Sequence, residues 1–372
     1  MTQLLVAIGA ARHLPADLHL DLGELHPTQQ GGMQISLNVE DGRIVTADPR
    51  IGFVHRSAER LFEARDYRQL MMLANRHDWV SAFSSELAIA LVLEEAMGII
   101  PPERATWSRM LLAEMNRLTA VLLMLGTSVP DSMDLLRGRE PYLALLEQLT
   151  GSRIHPMFNR IGGIACAADE RWLNEVAALT AEDQVRLADL PQRARRAFDH
   201  LSGVGVITAE QVRDYGLSGA LAQASGLPLD LRALQPYLVY ADVMTAADVP
   251  VGIEGDIPTR FAVLAGQARL SLRIMDAATH WLLQAGPGAF DVPLPKVVRA
   301  PELTSYGAIE GSLGSTGVLL DSIGERSPWR LKLRTPAFAT VQSLQSTLVG
   351  LPVEHLVPMV QSCAFMIGDA DR

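Results

Sequence analysis

The chain has 372 residues, 48% of them apolar and 20% charged, with a formal net charge of −10 and two cysteines, Cys166 and Cys363. That length and apolar content can fill a sizeable core, which excludes a disordered, collagenous or disulfide-scaffold protein. The acidic balance argues against nucleic acid as a partner, because that needs a basic face, and two thiols are too few for a four-cysteine iron–sulfur cluster or an all-cysteine zinc site.

The first residues, Met1 to Gly9, are weakly apolar and carry no basic n-region, so no signal peptide is expected. No stretch reaches the roughly 18–20 apolar residues that a bilayer span needs. The nearest approach is Leu118 to Leu125, and a chain that is cytosolic by itself is expected. Residues 17–26 alternate polar and apolar, as a half-buried strand does, and Gln34 to Val39 alternate again. Glu40-Asp41-Gly42 is a turn signal, with Arg43 to Thr46 as the returning strand. An N-terminal antiparallel β piece over 15–50 is therefore predicted.

From Ser57 the period changes to that of helices, predicted over Ala58–Ala74 and Trp79–Met97, with Gly98 as the C-terminal glycine. Pro101-Pro102-Glu103 starts a long helix to about Leu125, and 139–150 and 168–200 continue the helical core of 57–200. Residues 201–257 are rich in Gly, Pro and Asp and read as irregular with short helices. A long helix is predicted over 258–284, broken by Gly286-Pro287-Gly288. Gly317–Leu320 and Trp329–Arg334 pair as a β-hairpin about the Gly324–Pro328 turn, and helices from Ala337 and over 352–367 close the chain. The fold class is mostly α (α+β), a helical core with two small β pieces in one intertwined domain.

No P-loop, G-x-G-x-x-G after a strand, H-E-x-x-H or G-x-S-x-G is present. Three polar clusters stand out. Gly23 to Gly32 brings His26, Thr28 and Gln30 to a turn, where they can bind a ligand or simply stabilise the turn. Asn75-Arg76-His77-Asp78-Trp79 lies between two apolar helices, and there Arg76 and Asp78 are expected to be buried and paired. Gly368-Asp369-Ala370-Asp371-Arg372 follows an apolar run and is either a solvated tail or a folded-in ion pair.

In order and spacing these segments resemble the D subunit of NADH:quinone oxidoreductase (respiratory complex I), which shares the fold of the nickel–iron hydrogenase large subunit. Gly23-Glu-Leu-His26-Pro-Thr28-Gln-Gln30-Gly31 matches that family's G-P-Q-H-P-S-T-H-G, and Ile51-Gly-Phe-Val-His55-Arg-Ser-Ala-Glu59-Arg60 its I-G-Y-L-H-x-G-x-E-K. Pro102-Glu-Arg104, Ala113-Glu-Met-Asn-Arg117-Leu118, Gly138-Arg-Glu140, Thr150-Gly-Ser-Arg153, Arg160-Ile-Gly-Gly163 and the stretch Arg213–Asp230 follow in the family's order. Arg334-Thr-Pro-Ala-Phe338, Gln342-Ser-Leu344 and the terminal Gly368-Asp-Ala-Asp371-Arg372 complete the match, and Leu73 to Trp79 is most similar to divergent second-copy forms. Where the hydrogenase binds nickel through four thiolates, this chain has Asp78, Ser81, Met366 and Asp369, with Cys363 out of register, so the resemblance implies no metal site and no hydrogenase activity.

The resemblance further implies a quinone cavity in place of the metal site. Asp78 and His26 would be its catalytic residues, and Gln30, Thr28, Arg76, His77, Asp371 and Arg372 its quinone-binding ones. The family's histidine and tyrosine slots hold Gln30 and Leu73 here. Gln30 can donate a hydrogen bond but cannot relay a proton, and Leu73 can do neither. The loop between Gly126 and Gly138 is also shorter than the family's. By this resemblance the chain binds no cofactor of its own. NADH and the iron–sulfur clusters belong to partners, which would be B-like and C-like peripheral-arm subunits and an H-like membrane subunit, on the cytoplasmic face of the plasma membrane. A redox-inactive structural or coupling subunit of such an assembly remains the alternative.

Overall fold

The computed structural model describes residues 2–8, 18–20 and 32–372. Strands β1 (Thr2–Ile8), β2 (Leu18–Leu20), β3 (Met33–Glu40) and β4 (Arg43–Arg50) form one sheet in the order β2-β1-β3-β4. β3 and β4 pair antiparallel as expected, while β1, which lies before the predicted 15–50 piece, pairs antiparallel with β3, and β2 joins β1 in parallel, with Leu18 opposite Leu4. Asp41 and Gly42 both have positive φ (49° and 74°), the geometry a two-residue hairpin turn demands. The alternating strand expected over 17–26 is described only at Leu18–Leu20, and its remainder lies outside the described residues.

The region expected as one helix over 58–74 is two, α1 (Ala58–Glu63) and α2 (Leu70–Ala74). Between them the Asp66 carboxylate accepts the N–H groups of Arg68 and Gln69, each at 3.1 Å, and so competes with the helical ladder. Tyr67 is fully buried there and its hydroxyl donates to Ser322 at 3.0 Å. Helix α3 (Ala82–Met97) is apolar on nearly every face and runs through the core, closed by Gly98 at φ 64°.

The two longest helices pack against each other, and the first of them also packs on α3. They are α4 (Glu103–Ser128), and, after the intervening α5 (Met133–Thr150), β5 (Asn159–Arg160), β6 (Gly163–Ile164), α6 (Glu170–Arg186), α7 (Leu190–Arg196), α8 (Ala209–Tyr215), α9 (Ala220–Ala224) and α10 (Leu231–Leu234), helix α11 (Ile257–Ala285). The 29 residues of α11 make it roughly 43 Å long. Trp107 stacks on Trp281 with centroids 4.8 Å apart, while Ser271 donates to Glu114 at 2.7 Å, so α4 and α11 run antiparallel. Asp256 caps α11 by accepting from Thr259 N at 3.0 Å and also binds Gly203 N at 2.8 Å. By length and composition α4 could cross a bilayer, but 83% of its apolar window is buried inside the protein, as in a core helix.

The C-terminal β piece has three strands, β7 (Glu302–Gly311), β8 (Gly314–Ile323) and β9 (Arg330–Arg334), all antiparallel. The predicted hairpin is β8–β9. β7 was not anticipated, because Tyr306-Gly307 breaks its alternation. Gly307 is required there, since a Cβ would stand 2.7 Å from Val92 of α3. Helices α12 (Pro336–Thr347), α13 (Leu356–Ser362) and α14 (Ile367–Ala370) end the chain.

A buried charge network ties these layers together. Arg232 of α10 binds both oxygens of Glu114, at 3.0 and 2.9 Å, and both oxygens of Asp230, at 3.0 and 2.7 Å. Glu114 also accepts from Tyr240 at 2.7 Å and lies 3.3 Å from Arg117. Arg117 donates to the carbonyls of Glu310 and Gly311 at the end of β7. The neighbouring guanidiniums outweigh burial and hold the Glu114 and Asp230 carboxyls below the usual range. Glu114→Ala is expected to cost on the order of 3–5 kcal/mol, because it strands a buried guanidinium. The denaturation midpoint reads this, and a shift worth less than about 1 kcal/mol, a median surface-pair value, would show that Asp230 satisfies Arg232 alone.

Candidate functional site

Residues 75–81, between α2 and α3, form a tight polar turn in an apolar setting. Asp78, only 5% exposed, accepts the N–H groups of Val80 at 3.2 Å and Ser81 at 2.9 Å, which is why α3 begins at Ala82 and not at Trp79 as expected. The Ser81 hydroxyl donates to Ser312 Oγ at 2.8 Å and accepts from Ser312 N at 3.1 Å. Asn75 donates to Glu86 at 2.6 Å, and the other Glu86 oxygen gathers the N–H groups of Phe158 and Asn159.

Residues 366–372 fold into this turn. Gly368 packs so closely that a Cβ would overlap the Trp79 ring and the His77 carbonyl. Asp369 Oδ2 accepts from Ala337 N at 3.3 Å, in the first turn of α12, and its carbonyl accepts from Thr335 Oγ1 at 2.8 Å. Asp369 Oδ1 lies 3.2 Å from His77 Nδ1. Neither atom makes an aligned hydrogen bond. His77 and Asp369 are 4% and 2% exposed.

Burial and the like charge of Asp369 push the Asp78 carboxyl up to about 7, against the opposing pull of His77 and the two N–H donors. Two buried carboxyls and an imidazole thus meet in one place, and the Asp78 proton is held near neutral pH.

The last two residues are folded in, but not as a pair with each other. The Asp371 carboxylate accepts from Gly52 N at 2.7 Å and Val54 N at 2.9 Å, and its carbonyl accepts from His55 Nδ1 at 2.9 Å. Arg372 donates through Nε to the Leu333 carbonyl at 2.7 Å, lies 3.5 Å from Glu59, and covers the Phe338 ring at 5.2 Å. Glu59 in turn accepts the Leu333 N–H at 2.9 Å.

Of the predicted site residues, His77 and Asp78 come together, with Asp371 and Arg372 a few residues from Asp369. His26, Thr28 and Gln30 lie outside the described residues. The expected Arg76–Asp78 pair is not formed. Arg76 turns to the Asn75 side-chain oxygen and to Met157 Sδ at 3.7 Å, because the Asp78 carboxylate that was to pair with it is spent on the backbone of α3. Sequence reasoning missed Asp369 as a partner of His77, and gave no role to His55 and Glu59, although all three stand in the motifs it used. Arg372 lines a cleft of about 650 Å³ with His55, Glu59 and Trp329, and Met157 lines another of about 690 Å³ with Met71, Met72 and Arg160. His77 and Asp78 line neither. Among the described residues, no three His, Cys, Asp or Glu side chains are arranged to hold a metal ion.

A carboxyl whose pKa rises on folding favours the fold while it is protonated, and that contribution fades as pH climbs from the unfolded value through the folded one. For Asp78 this window runs from 3.8 to about 7. The wild-type protein is therefore expected to lose stability relative to Asp78→Asn as pH rises across it, by roughly 1.4 kcal/mol per unit at most. Melting temperatures of both proteins at several pH values measure this, and parallel curves would mean that Asp78 is ionised throughout.

Residues 128–295 and 290–372 match the family described as respiratory-chain NADH dehydrogenase, 49 Kd subunit. The chain is 42% identical to the NADH-quinone oxidoreductase D subunit, copy 2, of Salinispora arenicola, covering 100% of this chain and 98% of that protein. It is 39% identical to the copy 1 D subunit of Streptomyces coelicolor, over 100% and 99%, and 30% identical to the D subunit of Bacillus cereus, over 95% and 98%. Full-length similarity at these levels, together with a helical core and terminal sheets of the expected kind, places the chain in the family of NADH-quinone oxidoreductase D subunits, which belong to the peripheral arm of complex I.

Proposed function

We propose that this chain forms the quinone-binding cavity of a complex-I-like NADH-quinone oxidoreductase and supplies a proton during quinone reduction. The observation that carries this reading is the buried cluster of His77, Asp78 and Asp369, with the Asp78 carboxyl held at about 7. Reducing a quinone to a quinol takes two electrons and two protons, and the protons must come from groups whose affinity matches ambient pH. The electrons would arrive from an iron–sulfur cluster on a B-like partner. Asp78 would release its proton toward the quinone oxygen, with His77 and Asp369 setting its affinity. His26, Thr28, Gln30 and Arg76 would bind and orient the headgroup, while Asp371 and Arg372 hold residues 51–60 and β9 around it.

The four slots of the hydrogenase thiolates do not suit a nickel–iron centre. Their side chains are a carboxylate, a hydroxyl, a thioether and a carboxylate, none of them a soft thiolate, and the Ser81 hydroxyl is committed to Ser312. A C-like subunit and an H-like membrane subunit would be further neighbours, on the cytoplasmic face of the membrane, with proton translocation in the membrane part.

A redox-inactive coupling subunit is the second reading. The burial of His77 and Asp78 away from both clefts, and the half-buried Leu73 in the tyrosine slot, favour it. Quinone-dependent electron transfer by the intact membrane assembly separates the two. Asp78→Asn is expected to lower turnover about 100-fold or more, the usual contribution of a positioned acid, and His26→Ala to lower it as well. Mutant assemblies as active as the wild type would establish the coupling role instead.

A further inference from the structure

A second buried carboxyl lies on the far side of the serine pair. Glu310, near the end of β7, is 4% exposed. Its Oε2 accepts the Leu231 N–H at 3.1 Å, and no donor among the described residues reaches Oε1. The charged groups around it are already engaged. Arg117 donates to the main-chain carbonyls of Glu310 and Gly311 and not to the carboxylate, and Tyr237 donates to the Glu310 carbonyl at 3.3 Å. Arg232 is held by Asp230 and Glu114. An ionised Glu310 therefore meets the like charge of Asp230 with no cation of its own. Burial and Asp230 push its carboxyl up to about 8.

Glu310 also lines a small cavity of about 10 Å³ with Arg117, Gln223, Gln267, Ser312 and Cys363. That is close to the least space one water needs, and the lining supplies the several polar partners a buried water requires. Gln267 and Gln223 are joined at 2.8 Å, which fixes the amide orientations on that wall. Ser312 reaches from the cavity to the Ser81 hydroxyl, and the Ser81 N–H reaches Asp78.

We propose that this cavity is a one-water site and that Glu310 is a second proton-binding carboxyl, coupled to Asp78 through Ser312 and Ser81. The proton leaves Glu310 Oε1 to the cavity water and returns by the same route, with no change of oxidation state. A charge left on Asp78 raises the affinity of Glu310 for its proton, and the reverse holds equally. This coupling rests on the reading of Asp78 given above only for the use to which the protons are put.

Infrared difference titration of the intact assembly in light and heavy water tests it without turnover. The wild type is expected to show a protonated-carboxyl band that shifts in heavy water and disappears with a midpoint near 8. Glu310→Gln deletes that band. Glu310→Asp keeps an acid and moves the band and its midpoint, which identifies the group even where the glutamine variant fails to assemble. Asp78→Asn lowers the Glu310 midpoint, and Ser312→Ala, which takes away the polarisable hydroxyl between them, weakens that dependence. A Glu310 band that is ionised below neutral pH, or insensitive to heavy water, would overturn the proposal, as would a midpoint indifferent to Asp78→Asn. Full quinone reduction by Asp78→Asn would overturn the function proposed above and leave this titration standing.

Discussion

Arg232 has no exposed surface, and everything around it is arranged so that its charge can stay inside. Glu114 comes to it from α4, Asp230 from its own short helix and Gln267 from α11, so one guanidinium locks the two longest helices and the irregular segment between them. A buried ion set of this kind adds little net stability compared with an apolar core of the same shape, but it is costly to leave incomplete. It therefore specifies a register more than it strengthens one. Because Arg117, one turn along from Glu114, holds the end of β7, the same lock sets where Ser312 stands and hence where the turn at Asp78 is anchored.

The site is built largely from groups that bind backbone. Asp78, Asp371 and Glu59 each accept main-chain N–H groups, and Arg372 donates to a main-chain carbonyl. Such contacts pin loops that have no ladder of their own. They also leave His77 and Asp369 as side chains near each other without an aligned hydrogen bond, in a region with almost no exposed surface. Polar atoms in that condition are expensive unless they serve a purpose, which distinguishes this turn from the Arg232 guanidinium, whose three nitrogens all donate to carboxylate or amide oxygens.

Much of the fold could be read from periodicity. The apolar runs of α3, α4 and α11 and the hairpin turn at Asp41-Gly42 carried local signals strong enough to place them within a few residues. The two misplaced helix boundaries share one cause, short polar side chains that turn back on the main chain. Asp66 splits a helix, Asp78 delays one, and neither is distinguishable in sequence from a residue on a helix surface. β7 escaped because Gly307 is set by close contact with Val92, a tertiary demand with no periodic signature. For the site, motif order located the turn and the C-terminal residues. The partner of each charge did not follow from spacing, since Asp369 meets His77 and Asp371 meets Gly52 across nearly the whole chain.

That last contact governs the timing of synthesis. Gly52 and Asp371 are 319 positions apart. At a ribosomal rate of about 5–20 residues per second, residues 51–60 emerge roughly 16 to 64 seconds before the segment that secures them exists. For that interval β4 and α1 have no partner for their connecting loop, and the apolar face of β9 and α12 that they help to close has yet to be made. Contacts of such sequence separation form late and slowly. A chain that stops short of Asp371 would leave the Gly52 and Val54 N–H groups without their acceptor.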